Sequence, residues 1–134
     1  MKTDTLPDKL SDLLELALDD LETTEKDPRY MIDMGEWHTP TNGKCMVCLA
    51  GAVMAQTIGV PLSYPIPVTN NPKFLALNQV RTGHVGFALD LLETTSFPGY
   101  DPGWFQPIGS YRANPFGFKQ TLRDLVLELR EKGL

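Results

Sequence analysis

The feature that most constrains the fold is an uninterrupted apolar run of 11 residues at positions 45–55. Its larger side chains would point in several directions around a helix, and a helix that is apolar on all sides has to be surrounded by other elements. Gly59 and Pro61 follow the run, which suits a left-handed helix cap and a stop. The run is too short to cross a bilayer, which takes ~20 residues. We therefore predict a central buried helix over residues 45–57.

Helical spacing of apolar side chains predicts four more helices. They are expected at about residues 6–23, 72–81, 84–93 and 115–132. Asn71 and Asn114 each precede a proline, which is a typical N-cap and first-turn pair. Gly83 can adopt positive φ and would separate the two middle helices.

The connecting segments are too rich in hydrophobic residues to be free linkers, so we expect ordered loops packed on the core. Within residues 24–43, the alternation of Tyr30, Ile32 and Met34 would allow one short strand without an obvious partner. Residues 97–118 hold seven of the chain's twelve aromatic residues. The expected fold class is mostly α: one domain, residues 1–134, with about five helices around residues 45–57.

Charge and composition exclude several classes of function. The 134-residue chain has a net charge of −5, and residues 1–36 alone carry −7. No cluster of Lys and Arg is present, which argues against nucleic acid and anionic membranes as partners. The chain opens without a basic and apolar leader, and two cysteines are too few for a disulfide framework. We expect a cytoplasmic protein that needs no cofactor.

The two cysteines, Cys45 and Cys48, leave several chemistries open. As a redox pair, they would use the start of a helix and Lys44 to favour the Cys45 thiolate, although no strand is expected before them. Together with His38 and His84 they could complete a zinc site, despite the unusual histidine spacing. Cys45 could also act as a nucleophile with His84 or His38, oriented by Asn42 or Asp33. The preferred interpretation is that both cysteines are small buried side chains of the central helix.

Enzyme signatures are otherwise missing from the sequence. It contains no P-loop, no dinucleotide-binding glycine motif, no His-Glu-x-x-His and no Gly-x-Ser-x-Gly. No acidic residue lies between Glu36 and Asp90, so a pair of catalytic carboxylates would have to come from the two ends of the chain. These observations favour a non-catalytic protein.

Two surfaces are candidates for protein binding. The first is the acidic face of the first helix, with Asp12, Glu15 and Asp19, which would attract a basic partner. The second is the ring-rich segment, residues 97–118, because Trp, Tyr and Arg are frequent at binding hot spots. Its candidate contact residues are Tyr100, Trp104, Tyr111 and Arg112. The same segment could instead be the interface of a homo-oligomer.

Several motifs resemble a group of small uncharacterised proteins encoded by tailed phages and prophages. They are Asp27-Pro28-Arg29-Tyr30, Trp37-His38, the Cys-Leu-x-Gly-Ala pattern within residues 45–52, and the Leu-Asn-x-x-Arg-x-Gly corner at residues 77–83. The resemblance covers residues 5–93 and brings no catalytic residue with it. It implies a phage or prophage accessory protein that acts in the host cytoplasm by binding a host protein.

Overall fold

The computed structural model describes residues 6–93 and 110–134. In chain order, the elements are helix α1 (Leu10–Glu25), strands β1 (Tyr30–Ile32), β2 (His38–Thr41) and β3 (Lys44–Val47), and helix α2 (Leu49–Val53). Helix α2 continues as a π-helical turn over Met54–Ile58. Helices α3 (Pro72–Arg81), α4 (Val85–Leu91) and α5 (Pro115–Glu131) complete the described part.

The expected all-helical bundle is wrong, because the helices share the core with a three-stranded mixed sheet. The strand order is β1-β3-β2. Strand β1 runs parallel to β3, and β2 runs antiparallel to it. The protein therefore has a mixed α/β fold. The possible strand at Tyr30 does form, and β3 is the partner that the sequence analysis did not find.

The central helix predicted over residues 45–57 is also wrong in its first part. Cys45 lies in β3, and Cys48 is the N-cap of α2. The missed signal is Asn42-Gly43, the residue pair that most favours a tight β-hairpin turn. Both residues have positive φ, 47° at Asn42 and 81° at Gly43, as such a turn requires. Apolar bulk at residues 45–47 fills a buried strand here rather than a helix.

The remainder of the predicted central element is buried as expected. All five residues of α2 are buried, and so is Met54. Gly59 has φ of 81° and ends the π-helical turn, as predicted for the left-handed cap. The peptide N–H of Val60 donates to the carbonyl of Met54 at 2.9 Å and closes this end of the element.

Helix α2 approaches the sheet very closely at Gly51. A Cβ atom at this position would lie 1.7 Å from the backbone oxygen of Trp37 and 2.9 Å from Cβ of Val47. Only glycine leaves room for that backbone contact. Trp37 and the Cys-Leu-x-Gly-Ala pattern therefore meet at one packing contact.

The other predicted helices are found with small shifts. Helix α3 has the predicted limits, and the Asn71 side chain accepts a hydrogen bond from the peptide N–H of Lys73 at 3.0 Å. Helix α1 begins at Leu10, four residues later than predicted, with Lys9 as its N-cap. Helices α4 and α5 each end before the predicted residue, and α4 also begins one residue late. Gly83 separates α3 from α4 with φ of 89°.

The apolar core lies between α1 and the elements that cover it. Leucines along one side of α1 pack against α2, α3 and α5, and their side chains are almost fully buried. None of the described helices combines the length and apolar character needed to span a membrane.

Candidate functional site

The structure brings one predicted pair of reactive side chains together, Cys45 and His38. The Cys45 sulfur lies 3.5 Å from Nδ1 of His38, and both residues have no exposed surface. The same Nδ1 lies 2.6 Å from the carbonyl oxygen of Tyr64. Because a carbonyl can only accept, Nδ1 carries the hydrogen and donates it. His38 is thus anchored to the proline-rich loop after α2 and is closed to solvent.

The two thiols lack the properties of a nucleophile. Burial raises the pKa of Cys45, which keeps the thiol protonated, although the backbone of Thr39 offsets part of this effect. Burial also raises the pKa of Cys48, partly offset by the peptide N–H groups of Gly51 and Ala50. The Cys48 sulfur accepts the Gly51 N–H at 3.4 Å and so caps α2. Both cysteines are buried, as the preferred interpretation predicts, but they lie on a strand and a helix cap.

The four residues of the predicted zinc site, His38, Cys45, Cys48 and His84, do not come together in the structure. Among the described residues, no group of three or more His, Cys, Asp and Glu side chains could hold a metal ion. His84 precedes α4 and lies elsewhere: its ring is 5.7 Å from that of Phe87, and both residues border a cavity of about 410 Å³.

The two residues proposed to orient a Cys-His pair, Asp33 and Asn42, take part in turns instead. Asp33 accepts the Gly35 N–H at 2.9 Å, and Asn42 forms the hairpin turn.

The acidic face of α1 is largely paired within the molecule. Arg130 of α5 lies 3.3 Å from Asp12 and 2.7 Å from Glu15. Further along α1, Glu22 pairs with Arg123, and Glu25 pairs with Lys119 at 2.8 Å. Asp19 borders a groove of about 380 Å³ between the two helices. Two of the three predicted contact residues of this face, Asp12 and Glu15, are therefore engaged in an intramolecular contact.

A larger cavity of about 860 Å³ opens beside strand β1. We call it the β1 cleft. It is bordered by residues 31–35, by Arg81 and Thr82 at the end of α3, and by residues 110–112, Pro115 and Phe118. About half of the residues that border the cleft are polar or charged, and the others are apolar or glycine. Such a mixture is found at surfaces that bind other proteins.

Two of the predicted contact residues, Tyr111 and Arg112, border the β1 cleft. The Tyr111 hydroxyl donates to the carboxylate of Glu25, and its ring packs edge-on against Phe118 at 5.5 Å. Burial and the neighbouring carboxylate raise the pKa of Tyr111, so the hydroxyl stays protonated and can donate. Arg112 is exposed. The other two predicted residues, Tyr100 and Trp104, lie outside the described residues.

The sequence analysis missed the rest of the β1 cleft. The sequence pattern predicts Ile32 only as part of a packed loop or one short strand, and Arg81 only as part of a helix corner. The Asn42-Gly43 hairpin signal would have revealed β3 and hence a sheet with an edge. Nothing in the sequence predicts that the end of α3 borders the same cavity as β1, because the two lie about 50 residues apart.

Comparisons with protein-family models, with curated proteins and with solved structures find no match for this chain.

Proposed function

We propose that this chain is a non-catalytic accessory protein of phage or prophage type, which binds another protein in the host cytoplasm through the β1 cleft. The β1 cleft is the observation that carries the proposal. At about 860 Å³ it is larger than the cavity beside His84 and the groove beside Asp19, and two residues that the sequence pattern favours for binding, Tyr111 and Arg112, border it.

The composition of the β1 cleft supports a protein partner. Its walls include Ile32, Met34 and Phe118, and Met31 at its border is 49% exposed. Exposed apolar side chains next to arginine and tyrosine are characteristic of binding hot spots. The rigid attachment of Tyr111 to Glu25 and Phe118 fixes one wall before any partner arrives, which lowers the entropic cost of binding.

A thiol or zinc enzyme has less support. The only predicted pair in contact, Cys45 and His38, is buried, and the raised pKa of Cys45 opposes formation of a thiolate. The thiolate is the nucleophile and the metal ligand in such enzymes.

The test is capture of a partner from a bacterial host lysate with the full chain, using wild type, Arg112→Glu and Lys44→Glu. Lys44 is an exposed cation on β3 that does not border the β1 cleft, so Lys44→Glu is a matched charge change. We expect wild type and Lys44→Glu to retain the same protein and Arg112→Glu to lose it. Equal capture by all three, or capture by none, would contradict the proposed function.

A further inference from the structure

Strand β1 has an open edge. The peptide N–H of Cys45 donates to the carbonyl of Arg29, and the N–H of Asp33 donates to the carbonyl of Val47. Backbone groups alternate in direction along a strand, so residues 29, 31 and 33 face β3. The N–H and C=O of Ile32 therefore point away from β3, toward the side of the sheet where the described residues supply no further strand.

The β1 cleft borders the strand that carries this open edge. Met31 and Ile32 are consecutive, so their side chains lie on opposite faces of the sheet. Both nevertheless border the same cavity. Residues 33–35, which follow β1, border it as well, so the cleft extends past the end of the strand. An extended chain in this position could form backbone hydrogen bonds with Ile32.

The charges at the β1 cleft favour an acidic occupant. Arg81 and Arg112 both border it, and neither forms an ion pair with a described residue. The Arg81 Nε–H donates only to the Asn78 side chain, at 3.2 Å. One acid, Asp33, also borders the cleft, and its side chain accepts the Gly35 N–H. The cleft thus has two guanidinium groups without an ion pair to a described residue and one carboxylate that is already hydrogen-bonded. The net charge of these three groups is positive, which is complementary to a negatively charged partner.

We propose that the β1 cleft binds an extended acidic segment of a partner protein, which adds as a strand to the open edge of β1. Carboxylates of the segment pair with Arg81 and Arg112, and apolar side chains on its other face rest on Ile32 and Met34, which are only partly buried. This inference rests on the proposed function and specifies the chemistry of the partner. A nucleic acid is a poorer fit, because the sequence has no cluster of Lys and Arg that could neutralise successive phosphates.

The test uses three synthetic eight-residue peptides with a fluorescent label. The first alternates Glu and Val, the second alternates Lys and Val, and the third is the Glu-Val peptide with every second backbone nitrogen methylated. Methylation preserves charge and side chains but removes the N–H groups that strand addition needs. Fluorescence anisotropy measures binding to the full chain, to Arg112→Glu and to Lys44→Glu.

We expect the Glu-Val peptide to bind wild type and Lys44→Glu alike, and to lose about tenfold or more in affinity with Arg112→Glu. The Lys-Val and methylated peptides should bind at least about tenfold more weakly than the Glu-Val peptide. Equal binding of the methylated peptide would overturn strand addition, and equal binding of the Lys-Val peptide would overturn the charge preference. No binding of any peptide up to ~1 mM would overturn the inference as a whole.

Two further results separate this inference from the proposed function. A host protein captured in an Arg112-dependent manner, with no peptide binding, would remove the acidic strand and leave the proposed function standing. A wild-type dimer in solution that Arg112→Glu dissociates would assign the edge of β1 to a second copy of the chain and overturn the inference.

Discussion

Basic side chains form ion pairs where α1 packs against α5, whereas those at the β1 cleft form none with the described residues. Along the helix pair, Arg130, Arg123 and Lys119 each lie beside a carboxylate of α1. At the β1 cleft, Arg81 and Arg112 have no such partner among the described residues. A charge that is paired within the molecule contributes little to recognition of another molecule. An unpaired charge at a cavity can attract a partner of opposite charge and so contributes to specificity. The comparison moves the expected binding surface from the acidic helix to the cleft.

The largest effect is expected where the sheet that carries the β1 cleft meets α2. Gly51→Ala would place a Cβ atom 1.7 Å from the Trp37 oxygen, so the helix and the sheet would have to move apart. We expect a loss of ~3 kcal/mol or more in the free energy of unfolding, measured with urea. The matched control is Gly59→Ala, which meets no atom within 4 Å and strains only a positive φ. Its expected cost is ~1–2 kcal/mol, and equal losses in the two variants would contradict the close contact.

An intermediate effect is expected at the wall of the β1 cleft. Tyr111→Phe removes the hydroxyl that donates to Glu25 but keeps the ring against Phe118. We expect a loss of ~1–2 kcal/mol in the free energy of unfolding, because the hydrogen bond is to a charged acceptor. Lys119 still pairs with Glu25, which limits the loss.

The matched control for this wall is Tyr64→Phe, since Tyr64 is 64% exposed. The Tyr64 carbonyl, and not its side chain, accepts the hydrogen bond from His38, so this contact is retained. Urea unfolding of both variants checks the prediction. A Tyr111→Phe variant as stable as Tyr64→Phe would mean that the hydroxyl does not hold the wall.

The smallest effect is expected on the helix pair. Arg130→Gln removes ion pairs with Asp12 and Glu15, but all three side chains are partly exposed. We expect a loss of less than ~1 kcal/mol in the free energy of unfolding at low salt, and a smaller loss at ~1 M salt, where exposed charges are screened. Unfolding curves at the two salt concentrations provide the measurement.

An arginine-to-glutamine substitution at the β1 cleft can be compared directly with the one on the helix pair. Arg112→Gln should change the free energy of unfolding by no more than ~0.5 kcal/mol at either salt concentration, because Arg112 is exposed and has no ion pair with a described residue to lose. A salt-dependent loss at Arg112 as large as that at Arg130 would remove the difference between the two regions.

Local signals in the sequence predicted several elements correctly. Helix α3 begins at Pro72 with Asn71 as its cap, and Gly59 and Gly83 adopt the positive φ that their positions suggested. In each case the cause is local: a side chain bonds to a peptide N–H two residues on, or glycine tolerates a conformation that other residues resist. Such signals need no information about the rest of the fold.

The apolar run at residues 45–55 shows where local reasoning failed. An apolar run fits a buried strand as well as a buried helix, because both are surrounded on all sides. The turn at Asn42-Gly43 decides between them by pairing residues 44–47 with β2. The π-helical turn at Met54–Ile58 had no counterpart in the sequence analysis.

By itself, the sequence determined the helices with clear caps, the burial of the two cysteines and the excess of acid in the first third of the chain. Tertiary structure decided which charges are neutralised and which are left at a cavity. That division depends on distances between residues far apart in the chain. Arg130 of α5 pairs with Glu15 of α1, and Arg81 borders the same cavity as a strand about 50 residues earlier. Electrostatic pairing acts over a few ångströms of space, so its outcome is fixed only when packing has brought those residues together.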